Sequence, residues 1–134
     1  MSITTWKAEF YPVSASKCKK VDALDHGILK WSGTTKAAMK RHGLTKIDEY
    51  VVDEQGRGFS FAGPTCALCR HSSTAGLVCC DCVIEQTTGM SCFEAYLRWC
   101  QTGDPKPMLA LLRKVKMLAL LRKIKRALAR KGKP

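Results

Sequence analysis

Two C-x2-C pairs, Cys66 with Cys69 and Cys79 with Cys82, separated by nine residues, constrain this chain more than any other feature. Each pair offers two thiolates from adjacent backbone, and a loop containing Gly76 lets the two turns converge. That is the donor set of a closed tetrahedral Zn²⁺ site. One Zn²⁺ held by Cys66, Cys69, Cys79 and Cys82 is therefore expected. Cys80 stands beside Cys79 and can replace it, while Cys92, the first reserve, and His71 compete for one position. Thiolate ligation alone does not separate zinc from an iron–sulfur cluster. Cys18 and Cys100 read as structural, since Cys18 has no partner at metal-ligand spacing and Cys100 falls on the apolar stripe of its own segment.

A chain of 134 residues has room for one modest core plus an appendage, and a metal clip contributes folding free energy to so small a body. Four cysteines leave zinc no open position for catalysis, and His26, His42 and His71 sit in neither an H-E-x-x-H nor an H-x-E arrangement. His71 follows the first cysteine pair, which keeps a nuclease-like finger in view, but the expectation is a protein that is not an enzyme. The opening residues lack the charged lead, apolar stretch and cleavage site of a secretory signal, and a reducing, cytoplasmic setting is expected, where C-x-x-C pairs are usually metal ligands. Lys or Arg interrupts the C-terminal segment every few positions, so no transmembrane segment is expected.

The fold class expected is α+β: a zinc-stabilised body with a β-hairpin and short helices, followed by a basic C-terminal helix. Residues 6–13 read as an extended lead-in ending at Pro12. From Lys19 to Trp31, Val21, Leu24, Ile28 and Trp31 fall at helical spacing and predict a core-facing helix closed by Ser32 and Gly33. Thr34 or Thr35 can cap a shorter helix through His42, stopped by Gly43, with Lys36, Lys40 and Arg41 on a solvated face. Ile47 to Val52 and Gly58 to Phe61 flank a turn-forming centre and predict a hairpin. Ser91 and Glu94 have capping-box spacing, and the helix they open carries Phe93, Leu97 and Cys100 on one stripe and stops at Gly103. Pro105 and Pro107 form a stiff connector at whose end a last helix begins.

A C-x-x-C hairpin, a second C-x-x-C and a following helix resemble a treble-clef or zinc-knuckle finger over about residues 64–101. That class serves nucleic-acid and protein contacts alike. Cys66 to Cys69, Cys79 to Cys82, Gly89 to Cys92, Tyr96, Trp99 and Gly103 to Met108 together are similar to small cysteine-rich proteins encoded by phages and prophages. That resemblance implies an origin and the cytoplasm of a bacterial host; it implies no activity and no functional residues. Cys80 and Cys92 depart from the simple finger pattern.

Charge divides the chain in two. Residues 1–104 hold 12 Lys and Arg against all 11 Asp and Glu, whereas residues 105–134 hold 11 Lys and Arg and no acid. A near-neutral body with a cationic arm points to nucleic acid or an anionic lipid surface. The arm contains a duplication: residues 108–116 and 117–125 differ only at Val115 and Ile124. At about 100° per residue, nine positions turn a helix by roughly two and a half turns. Equivalent side chains therefore face opposite ways. Met108, Leu111, Leu112 and Val115 make one apolar stripe that can pack on the body, and Leu120, Leu121, Ile124 and Leu128 make a second that then points away. Covering the second stripe would be worth roughly 6 kcal/mol before ordering costs. A bend near Met117, a second copy of the chain, a groove on another protein and a membrane headgroup layer can each cover it.

The leading expectation is noncatalytic binding of nucleic acid or a nucleoprotein complex, with Arg113, Lys114, Lys116, Arg122, Lys123, Lys125, Arg126, Arg130 and Lys131 on phosphates. All ten aromatic residues lie in the body, which argues against base stacking by the arm. The alternative is a phage-encoded accessory protein that docks on a host protein through Leu120, Leu121, Ile124 and Leu128. Peripheral contact with an anionic membrane and self-association are further candidates.

Overall fold

A computed structural model describes residues 2–62, 65–70, 83–89 and 92–132. Seven α-helices and one 3-10 turn surround a three-stranded antiparallel sheet among these residues, an α+β arrangement ending in a long C-terminal helix. The chain begins with a helix, α1 (Ile3–Phe10), where an extended lead-in was expected. Ser2 Oγ accepts from the Thr5 N–H and Thr5 Oγ1 accepts from the Ser2 N–H, a reciprocal cap that satisfies the first turn. Only helical spacing puts Ile3, Trp6 and Phe10 together on the core, and all three are buried. Pro12 lies just beyond the helix.

The second helix, α2 (Ala23–Ser32), follows a 3-10 turn over Lys20–Asp22. Its buried side is Ala23, Gly27, Lys30 and Trp31; Leu24 and Ile28 sit at the margin, and Val21 is 82% exposed. The helix is thus rotated from the expected stripe, with Gly27 turned towards Leu112 of the C-terminal helix. Thr35 caps α3 (Lys36–Arg41) through a bond from the Ala38 N–H, and Gly43, at φ 65°, ends it, as expected. Arg41 does not face solvent alone: it pairs with Glu9 and lies over Phe10.

The expected strand from Ile47 to Val52 is broken by a tight turn at Asp48 and Glu49, with Asp48 at φ 51°. The result is three strands, β1 (Thr45–Ile47), β2 (Tyr50–Val52) and β3 (Gly58–Ser60), paired in sequence order with Ile47 opposite Tyr50 and Val51 opposite Phe59. Asp53, buried in the turn between β2 and β3, accepts from the N–H groups of Ile3, Gln55 and Arg57 and pairs with the Arg57 guanidinium at 3.2 Å. One carboxylate fastens the hairpin turn to the start of α1. These bonds, the Ile3 N–H first, hold its pKa below the usual carboxylate range despite desolvation.

Two short helices, α4 (Ala67–Arg70) and α5 (Val83–Thr88), precede α6 (Phe93–Thr102), which stops at Gly103 in the left-handed conformation. Ser91 lies outside the described residues, and with it the expected capping box. The core side of α6 is Ala95 and Trp99, with Tyr96 and Cys100 at the margin, whereas Phe93 and Leu97 are exposed. Trp99 fixes that rotation: its ring packs 4.8 Å from Phe61 and 5.0 Å from Trp31, centroid to centroid, joining an aromatic centre that includes Trp6 and Phe59. The last helix, α7 (Lys106–Lys131), starts after Pro105 as expected and runs 26 residues unbroken through Met117.

Candidate functional site

Cys66 stands just before α4, half-buried, and Cys69 belongs to that helix. His71, Cys79, Cys80 and Cys82 lie outside the described residues. Among the described residues no three His, Cys, Asp or Glu side chains come together to hold a metal ion. Cys92, at the N-cap of α6, shares with Cys66 the wall of one cavity of about 280 Å³. Cys18 is buried, and its thiol donates to the Lys19 carbonyl at 3.4 Å; burial, assisted by Asp22, pushes its pKa up. Cys100 is half-buried on α6, and its carbonyl accepts from the Lys46 ammonium, which lies over Trp99.

The cavity is apolar, walled by Trp31, Phe61, Leu68, Ile84, Met108 and Leu112. Lys30, Glu49 and Tyr96 bring polar groups to it. Lys30, only 1% exposed, donates to the Thr65 carbonyl at 3.2 Å and to Thr65 Oγ1 at 3.3 Å and lies over the Trp31 and Phe61 rings. The Tyr96 hydroxyl donates to Glu49 at 2.8 Å, and burial with the adjacent carboxylate raises its pKa far above the ordinary tyrosine range. Sequence patterns gave no hint of Lys30 or of the Glu49–Tyr96 pair, which join residues 47 positions apart.

A Thr5–His42–Glu9 chain superficially resembles a catalytic relay: His42 Nδ1 is 3.0 Å from Thr5 Oγ1, and His42 Nε2 is 2.6 Å from Glu9. The Thr5 hydroxyl also donates to the Ser2 carbonyl at 2.9 Å while receiving the Ser2 N–H. With its proton given to the Ser2 carbonyl, the Thr5 hydroxyl faces His42 only as an acceptor, so the chain acts as a fastener between α1 and the end of α3.

The other candidate site is α7. Met108, Leu109, Leu112 and Val115 are buried against the body, and Leu111, expected there, is half-buried at the margin of the core. Buried residues on α7 end at Val115. Beyond it Leu120, Leu121, Ile124 and Leu128 are exposed, as the half-turn of the repeat predicts, and Met117 is exposed with them. At about 100° per residue these five fall within an arc of roughly 100°. Arg122, Lys123, Lys125, Arg126 and Arg130 spread over roughly 160° on the other side. Lys116 pairs with Asp25 of α2 at 2.8 Å, and beyond it no described carboxylate lies within ion-pair distance of Arg122, Lys123, Lys125, Arg126, Arg130 or Lys131. No helix among the described residues is long and apolar enough to cross a membrane.

The chain matches no family model, no curated protein and no solved structure. The treble-clef and phage-protein resemblances therefore rest on the cysteine spacing and the quoted motifs.

Proposed function

We propose that this chain is a noncatalytic binding protein whose distal α7, residues 116–131, engages a polyanionic partner while the body serves as its anchor. One observation carries the reading: six cations follow Lys116 on a helix whose residues are all exposed from Leu120 to Lys131, with no described carboxylate against them. Like charges at helical spacing destabilise a helix by themselves, so a partner that neutralises them favours the state in which they are aligned. Nucleic-acid phosphates satisfy these cations through counterion release, and so does any dense anionic surface.

The body of the proposed protein is held by one Zn²⁺ on Cys66, Cys69, Cys79 and Cys82, with Cys92 the alternative ligand. The C-x2-C spacing supports the set, and the shared cavity wall of Cys66 and Cys92 supports the alternative. Such a closed thiolate site supplies folding free energy and leaves no position for a reacting water. Native mass spectrometry tests it: the purified chain should carry one zinc ion, and Cys66→Ser should lose it. A metal-free chain that folds normally would refute this part.

Binding itself is tested by heparin retention and by anisotropy with a labelled duplex at rising salt. Replacing Arg122, Lys123, Lys125 and Arg126 with Gln should abolish salt-sensitive retention while leaving tryptophan fluorescence unchanged, because all three tryptophans lie in the body. Unchanged retention would refute the assignment. The uncovered arc from Met117 to Leu128 favours a second reading, docking in a protein groove, in which Leu120, Leu121 and Ile124 rather than the cations dominate affinity.

A further inference from the structure

We infer that the polyanion is the surface of a lipid bilayer carrying anionic headgroups, with the distal half of α7 lying in the plane of the interface. The inference rests on the polyanion reading above and names its partner. An occupant of this helix has to satisfy two faces. Nucleic acid neutralises the cations but leaves Met117, Leu120, Leu121, Ile124 and Leu128 in water. A second copy covers that arc but brings Lys123 and Lys125, which flank it on its two sides, against their own like with no described acid between. An anionic bilayer takes the arc into its acyl boundary and meets the flanking cations with headgroup phosphates.

The attachment of the helix agrees with this orientation. The face of α7 buried on the body, from Met108 to Val115, is centred roughly 130° from the distal apolar arc, whereas the distal cationic face is centred within roughly 60° of it. With the apolar arc turned into the interface, the body stands on the water side of the helix. A wide, stiff duplex laid on the cationic face would instead approach from the side on which the body sits. Arg113 lies one turn before Met117 and Lys131 three residues after Leu128, so a long cationic side chain brackets the arc at each end and can snorkel to headgroup level. The arm has no aromatic anchor, so affinity falls to leucine burial and charge together, and binding requires anionic lipid.

Co-sedimentation of the full chain with vesicles tests this. Phosphatidylcholine vesicles should bind little, and vesicles with about a third phosphatidylglycerol should bind at least ten-fold more, an excess abolished by high salt. Lys123→Gln with Lys125→Gln should weaken binding to the anionic vesicles roughly 25-fold, at about five-fold per cation. Leu121→Ser, Ile124→Ser and Leu128→Ser together should weaken it at least ten-fold while retention on heparin persists. A duplex and a single-stranded RNA serve as competing probes. Salt-sensitive binding to either nucleic acid, insensitive to the serine substitutions and without vesicle binding, would overturn the lipid assignment and leave the polyanion reading standing. A concentration-dependent dimer that the serine substitutions dissolve, again without vesicle binding, would also overturn it. Absence of salt-sensitive binding to vesicles, heparin and both nucleic acids would overturn the two together.

Discussion

Gly27 of α2 and Gly33, its C-cap, should respond in opposite directions to the same methyl group. Gly33 ends the helix with φ −74° and ψ −6°, a right-handed conformation that alanine adopts without strain. By backbone entropy alone, Gly33→Ala would stabilise the fold by about 0.4–1 kcal/mol. Its added Cβ, however, would stand 2.6 Å from Trp6 Nε1, 2.7 Å from Phe10 Cγ and 2.8 Å from Trp6 Cε2. Both rings are buried, and Trp6 Nε1 donates to the Gly33 carbonyl at 2.9 Å, so the indole cannot retreat without lengthening that bond. Overpacking of this kind costs about 1–3 kcal/mol, and the weakened bond adds about 1 kcal/mol. The net expectation is a loss of about 2–3 kcal/mol. Gly27, mid-helix and lining the cavity shared by Cys66 and Cys92, would place its Cβ 3.9 Å from Leu112 Cδ1, an ordinary contact. Gly27→Ala should therefore stabilise by about 0.5–1 kcal/mol. Urea denaturation followed by tryptophan fluorescence reads both. With m near 1–3 kcal/mol/M, the two midpoints should lie about 1–4 M apart, on opposite sides of the parent chain. A Gly33→Ala chain as stable as the parent would refute the close approach of α1 to the end of α2.

Leu112 and Leu121 occupy the same position in the two copies of the repeat, yet Leu112 is 2% exposed and Leu121 51%. Leu112→Ala should cost about 2–5 kcal/mol and Leu121→Ala no more than about 0.5 kcal/mol in the same denaturation assay; equal losses would mean that the far stripe is covered within the chain. Acid stability should depend on Asp53. Its pKa is held down in the folded state, so its contribution is complete above the usual carboxylate range and is lost as pH falls through the lowered folded value. Asp53→Asn should lower the melting temperature at neutral pH and flatten its decline between pH 5 and the acid limit, about the window in which carboxylates titrate; an unchanged acid profile would show that the carboxylate is not bonded as described.

Much of the punctuation was legible in the chain: Thr35 and Gly43 bound α3, Gly103 ends α6, and the proline pair opens α7. These signals are local, since a cap or a left-handed residue acts on its own turn. The α1 signal, the Ser2–Thr5 cap, was also local but was hidden by Pro12 and by strand-like residues around Trp6. The exposed stripe on distal α7 followed from arithmetic, because nine residues of helix make a half-turn offset whatever the helix packs against.

What tertiary structure decided was the side each element turns inward. On α2 and α6 two adjoining faces carry enough apolar surface to be buried, and the choice fell to partners distant in sequence: Leu112 against Gly27, and Phe61 and Trp31 against Trp99. The same long-range packing enclosed Lys30 and brought Tyr96 to Glu49, contacts that no spacing encodes. Periodicity is a property of one segment's own geometry. Burial is a property of what arrives beside it, and only the folded chain supplies that neighbour.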